Sequence, residues 1–140
     1  MKAITLTQPW ASLVALQHKR YETRSWRTFH RGPLAIHAAK GWEYDDRKFA
    51  MEEHEAGRLP DIYQLPLGAI VAVVEMAGCG RTEDIEDAMS ELELRLGNFG
   101  FGRYAWKFAS NVWVPDEPIP YRGAQGLWDF PDALLKGYSR

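Results

Sequence analysis

The chain has 140 residues, 46% of them hydrophobic and 26% charged, a length for one domain spanning 1–140 and a composition that argues against disorder, a fibrous repeat or a membrane protein. Its net charge of −2 lacks the basic excess usual in nucleic-acid binders. The total conceals a split: residues 1–41 hold seven Lys/Arg against Glu22 alone, a net +6, and the remainder holds ten against eighteen acids, a net −8.

In chain order, Ala3-Ile4-Thr5-Leu6 predicts a short strand. Thr7 before Gln8-Pro9 reads as a helix N-cap with Pro in the first turn, and Trp10, Leu13 and Val14 carry helical spacing toward His18. Arg20–Trp26 alternates and reads as extended. Arg31-Gly32-Pro33 predicts a turn, and Leu34–Ala38 a buried strand. The polar stretch 42–57 suits a surface helix ended by Gly57. Gly68–Glu75, a continuous Ala/Ile/Val run, predicts a strand buried on both faces. Thr82 followed by acids, with Ile85, Met89, Leu92 and Leu96 on one face, predicts a helix over 82–96. Residues 97–102 read as a loop, 104–108, 112–114 and 119–121 as strands, and 131–137 as a short helix. The pattern is that of an α+β domain built on a small barrel or strongly curved sheet, covered by two or three helices.

Cys79 stands alone, so no internal disulfide forms and a reducing, cytoplasmic setting is expected. No apolar run approaches the roughly 18 residues of a membrane span, and the N-terminus lacks the apolar core of a signal peptide. His18, His30, His37 and His54 show no metal-ligand spacing, and the glycines of 97–102 lack the Lys-Ser/Thr of a phosphate loop. Neither a metal nor a cofactor is expected.

The stretch His18–Arg27 holds the chemistry. On a strand starting near Arg20, alternation puts Glu22 and Arg24 on one face, with Lys19 leaning over it from the preceding turn. Such a trio offers an anion donor, a proton acceptor and a bidentate fork, as phosphate or nucleobase recognition requires; it equally describes a self-neutralised surface network. Trp10 and Trp26 flank the segment as stacking surfaces or as core. His37, among Leu, Ala and Ile, reads as a hydrogen-bonded core histidine. Glu75 ends an apolar strand, either exposed or held in a cleft.

Lys19-x-x-Glu22-x-Arg24 resembles the Gly-x-Lys-x-x-Glu-x-Arg motif of the ASCH domain, a member of the PUA-like superfamily. Gln8-Pro9-Trp10-Ala11, Arg24–Thr28, Arg31–Ala38, Leu67–Val71, Gly102–Trp106 and Gly123-x-Gln125-Gly126-Leu127-Trp128 also resemble the ASCH branch that includes the endothelial-overexpressed lipopolysaccharide-associated factor. One position departs, since Gln17 stands where the motif has glycine, the residue that most easily takes positive φ. The resemblance implies a PUA-like barrel of about five to six strands flanked by helices, with a cleft that binds RNA or a nucleotide. On that reading Lys19 and Arg24 contact phosphate or base edges and Glu22 orients them; Trp10, Trp26 and Tyr104 stack, and Gln8 and Gln125 read edges. The alternative implied is a small hydrolase acting on N4-acylated cytidines or on RNA through Lys19 and Glu22, with Glu75 as a further candidate. In the amidohydrolases a Thr lies three residues after the Lys. Here that position is Glu22, and Thr23, one place on, is expected on the opposite face of the strand.

Overall fold

The computed structural model describes residues 1–140. Seven strands form one sheet: β1 (Lys2–Leu6), β2 (Tyr21–Arg24), β3 (Gly32–Ala38), β4 (Ala69–Arg81), β5 (Tyr104–Phe108), β6 (Ile119–Pro120) and β7 (Trp128–Asp129). The order is β2-β5-β4-β3-β1-β7, with β6 added to β4. β1 and β3 run parallel, Lys2 opposite Leu34 through Leu6 opposite Ala38, and every other pair is antiparallel. The helices are α1 (Trp10–Ala15), α2 (Tyr44–Glu55), α3 (Thr82–Ile85) and α4 (Glu91–Leu96).

Alternation explains why β1 and β3 are buried on both faces. Ile4, Leu6, Leu34 and Ile36 join Val74, Met76, Trp106, Phe108 and α1 in one core cluster. Ala3 and Ala35 face the other way, onto Ile70, Val73, Phe130 and Leu135. A third cluster, Leu13, Ala50, Leu59, Leu65 and Leu96, gathers the helices on the cleft side.

β4 organises the sheet. Its first part pairs with β3 and its last part with β5, and the register slips by one residue at Val71 and again at Ala77. Such bulges bend a strand and increase its twist. Strand pairing does not close the expected barrel, because β2 and β7 stand at the two ends of the path. The architecture is an α+β fold on an open mixed sheet.

Other departures have local causes. Helix 82–96 is broken into α3, a 3-10 turn at Glu86–Ala88 and α4. Thr82 does not cap it, since its hydroxyl donates to the Gly100 carbonyl at 2.6 Å. Met89 turns extended (φ −82°, ψ 145°), and Ser90 starts a new helix by accepting from the Glu93 N–H. Thr7 likewise leaves α1 uncapped; Pro9 precedes the helix and the Gln8 side chain accepts from Ser12 N at 3.1 Å. Strand 112–114 is reduced to one bridge between Val73 and Trp113, and 131–137 to a 3-10 turn at Asp132–Leu134.

Candidate functional site

The site begins where α1 ends. Gln17 N–H donates to the Val14 carbonyl at 3.0 Å and His18 N–H to the Leu13 carbonyl at 2.9 Å, the Schellman pattern that requires a left-handed residue after the C-cap. That residue is Gln17, with φ +66°. The turn thus needs the conformation a glycine provides most easily, and Gln17 adopts it.

Two residues on, Lys19 is only 2% exposed. Its Nζ donates to the Leu96 carbonyl at 2.7 Å and lies 3.8 Å from Glu22 Oε1. Gly97 permits this approach: a Cβ there would come within 3.3 Å of Lys19 Nζ and 3.0 Å of the Phe99 ring. Glu22 Oε2 accepts from Arg24 Nε at 2.9 Å, and Arg24 Nη2 donates to the Thr5 carbonyl at 2.9 Å. Alternation along β2 puts Glu22 and Arg24 on one face, and Lys19, from the turn before the strand, completes one ionic chain. Burial lowers the Lys19 pKa below its usual value, and the Glu22 and Glu93 carboxylates oppose that shift. Glu93 accepts from Arg20 N–H through Oε1, while its buried Oε2 has no partner. Burial pushes the Glu93 carboxyl above the usual range, against the pull of Arg20 N–H and Lys19.

Thr23 also lines the cleft. β2 is the end strand of the sheet, and the Gly97–Asn98 segment lies beside it. The Thr23 hydroxyl accepts from Asn98 N–H at 3.0 Å. Arg103 binds the same corner, donating from Nη2 to the Thr23 carbonyl and from Nε to the Asn98 carbonyl, each at 3.2 Å.

The cleft lining also has an aromatic part. Trp10, half-buried, stacks on Phe49 of α2 with ring centroids 5.5 Å apart and 11° between planes. The Arg95 guanidinium sits 5.1 Å from the Phe49 ring centre and donates to Glu53 Oε1 at 2.8 Å. Burial would raise the Glu53 carboxyl, but hydrogen bonds from Arg58 and Arg95 outweigh it and hold the group below the usual carboxylate range. The cleft encloses about 510 Å³, and its lining carries four cations, Lys19, Arg24, Arg95 and Arg103, and two carboxylates, Glu22 and Asp46.

Of the residues singled out in the sequence, the fold gathers Trp10, Lys19, Glu22 and Arg24 in this cleft. Gln8 is fully buried and spends its amide on Ser12 and the Pro66 carbonyl. Trp26 packs edge-to-face on Trp106 at 4.8 Å and belongs with the core. Tyr104 sits under Arg81 and lies outside the cleft lining. Gln125 lines a neighbouring cavity, and Glu75 a third one, where it is paired with Arg140 at 3.2 Å. The basic first segment is not one patch. Only Lys19 and Arg24 of its seven cations line the cleft; Lys2, for instance, pairs with Asp129 at 3.0 Å.

Sequence reasoning missed Phe49, Arg95, Asn98 and Arg103. Arg103 alone carried a signal, inside the Gly102–Trp106 motif. No group of three or more His, Cys, Asp or Glu is placed to hold a metal ion, and no helix is long and apolar enough to cross a membrane.

Residues 4–122 match the family model described as "ASCH domain". Among solved structures, the chain is similar to ASCH from Zymomonas mobilis, with a TM-score of 0.58 and 13% identity over 96% of this chain and 90% of that one. A tyrosine-to-phenylalanine mutant of the same protein gives 0.58, at 13% identity over 96% and 93%. A serine-to-alanine mutant gives 0.57, at 13% identity over 96% and 91%. At this identity the likeness shows the fold alone. Comparison with curated proteins gives no match.

Proposed function

The chain belongs to the ASCH domain family, and on that premise we propose that it binds a nucleotide, free or within RNA, in the cleft lined by Trp10 and the Lys19–Glu22–Arg24 chain. The observation that carries this reading is that a stacked aromatic pair and cations held in fixed geometry line one cleft of about 510 Å³. The volume falls within the roughly 300–1,000 Å³ of small-molecule sites. Trp10 offers a ring braced by Phe49, and a base stacked on an aromatic side chain is worth roughly 1–3 kcal/mol. Arg24 and Arg103 each commit Nε and Nη2 to the fold and leave Nη1 free to meet a phosphate. Glu22 keeps Arg24 oriented and supplies an acceptor for a base amine. Phe130 and Leu135 share a core cluster with Ala3, which supports one domain over 1–140, and the lone half-buried Cys79 supports a cytoplasmic setting.

The test is titration of nucleoside monophosphates and single-stranded RNA at two salt concentrations. Arg24→Gln and Arg103→Gln are expected to weaken binding and to reduce the log–log salt slope by about 0.7 each. Absence of binding, or binding indifferent to both substitutions, would overturn the proposal.

A second reading is hydrolysis of an N4-acylated cytidine or of RNA. It draws support from Lys19, whose lowered pKa and 3.8 Å approach to Glu22 suit proton transfer, and from Thr23, which lines the same cleft. Glu75, on another cavity, takes no part in it. Turnover of N4-acetylcytidine or RNA that Lys19→Met abolishes would favour this reading; a stable protein that binds both and turns over neither would leave the binding function.

A further inference from the structure

We propose that the ligand of the cleft is a single strand of at least two consecutive nucleotides, the second lying in the adjacent cavity beside the Tyr121–Gln125 segment. This inference rests on the nucleotide reading above and extends it from a mononucleotide to a strand.

The two spaces meet at Thr5, which lines both the cleft and a second cavity of about 910 Å³. Thr5 is fixed from both sides. Arg24 holds its carbonyl from the cleft. On the other side Trp128 Nε1 donates to its hydroxyl at 3.2 Å, and the hydroxyl donates in turn to His37 Nδ1 at 3.2 Å. The direction follows from His37 Nε2, which must carry the proton it donates to the Tyr121 carbonyl at 2.7 Å. Gly123 is pressed onto this junction, since a Cβ there would lie 2.6 Å from the Thr5 hydroxyl and 2.7 Å from the His37 ring. The ridge between the two spaces is therefore a braced part of the scaffold, over which a strand can pass without displacing it.

The second cavity has its own anion-binding character. Lys40 and Arg122 line it, both exposed, and neither makes a side-chain hydrogen bond or salt bridge within the fold; no carboxylate shares the lining. Two unneutralised cations facing one space suit consecutive phosphates better than an isolated base. Tyr121 is half-buried on the same wall and backed by a parallel stack on Trp128, with centroids 5.8 Å apart and 6° between planes. Gln125 is exposed there with its amide unspent, able both to donate and to accept at a base edge. Phosphate contact, aromatic surface and amide thus recur on the far side of Thr5.

The experiment compares the four nucleoside 5′-monophosphates with a random-sequence tetraribonucleotide, for the unaltered chain and for the double variant Lys40→Ala/Arg122→Ala, at several salt concentrations. Both substituted side chains are exposed and unbonded, so circular dichroism is expected to match the parent. The tetranucleotide is expected to bind about 5- to 150-fold more tightly than any monophosphate, the increment of one further stacked base. The double variant should erase most of that advantage, reduce the tetranucleotide salt slope by about 1.4 and leave monophosphate affinity unchanged. Equal affinity for both probes, with a slope unmoved by the double variant, would overturn the proposal while leaving the mononucleotide reading intact. Failure of both probes to bind would overturn the two together.

Discussion

Replacing Gln17 with glycine should make the protein more stable. Gln17 holds φ +66° at the Schellman turn that ends α1, its side chain is exposed, and it makes no side-chain hydrogen bond. An L-residue in that region is disfavoured by roughly 1–2 kcal/mol. Glycine removes the steric term but enlarges the unfolded ensemble, at a cost of about 0.4–1 kcal/mol. The mid-values of the two terms leave Gln17→Gly more stable by about 0.8 kcal/mol, within a span of about 0–1.6 kcal/mol. For a chain of this size that corresponds to a melting temperature raised by about 2–4 °C. In urea the midpoint should rise with an unchanged m-value, because neither compactness nor the surface exposed on unfolding is altered. Gln17→Val is the opposing control: a β-branched residue at positive φ should lose about 1 kcal/mol or more. A glycine variant no more stable than the parent, or a valine variant equal to it, would refute the claim that the turn requires left-handed backbone.

Gly123→Ala should destabilise by about 1–3 kcal/mol, the usual range for forced overpacking, because its Cβ would meet Thr5 and His37 at 2.6–2.7 Å; a neutral result in thermal melts would contradict that close approach. His37 titrates below its ordinary 6.5, lowered by burial and partly restored by its bond to the Tyr121 carbonyl. Between that depressed value and 6.5 the unfolded chain binds more protons than the folded one, so the stability His37 confers is present above about pH 6.5 and is lost as the pH falls through the window. An NMR titration placing the His37 pKa at or above 6.5 would contradict this.

The parts of the fold legible in sequence were those governed by strong local pattern. Ala3–Leu6, Leu34–Ala38 and the Ala/Ile/Val run from Ala69 declared themselves because their burial on two faces leaves few polar positions, Thr5 and His37, which bond to each other. The continuation of β4 through Gly78-Cys79-Gly80 was hidden, since glycines weaken the strand signal and the pairing partner, β5, lies far along the chain. Residues 82–96 misled because Thr82 followed by acids is a fair local helix start, whereas the Thr82 hydroxyl answers to the Gly100 carbonyl and Ser90 has its own cap. The pairing of Glu22 with Arg24 was readable from strand alternation, whereas Lys19 joins them from the turn before the strand. The aromatic pair was not legible: Trp10 meets Phe49 only because α1 and α2 pack together, and no spacing in either segment announces it. Summed charge misled in the same way, as Arg95 and Arg103 reach the cleft from the acidic part of the chain.

The ties between residues 19–23 and 93–98 carry a practical consequence. Lys19 to the Leu96 carbonyl, Arg20 N–H to Glu93, and Asn98 N–H to Thr23 span 77, 73 and 75 residues of chain. The cleft therefore exists only in the folded chain, and whatever occupies it shifts the folding equilibrium by RT ln(1 + [L]/Kd), about 2.7 kcal/mol at a hundredfold excess over Kd. Such a ligand delays thermal unfolding by several degrees. A nucleotide library can accordingly be sorted by melting temperature alone, with no label and no assumption about turnover.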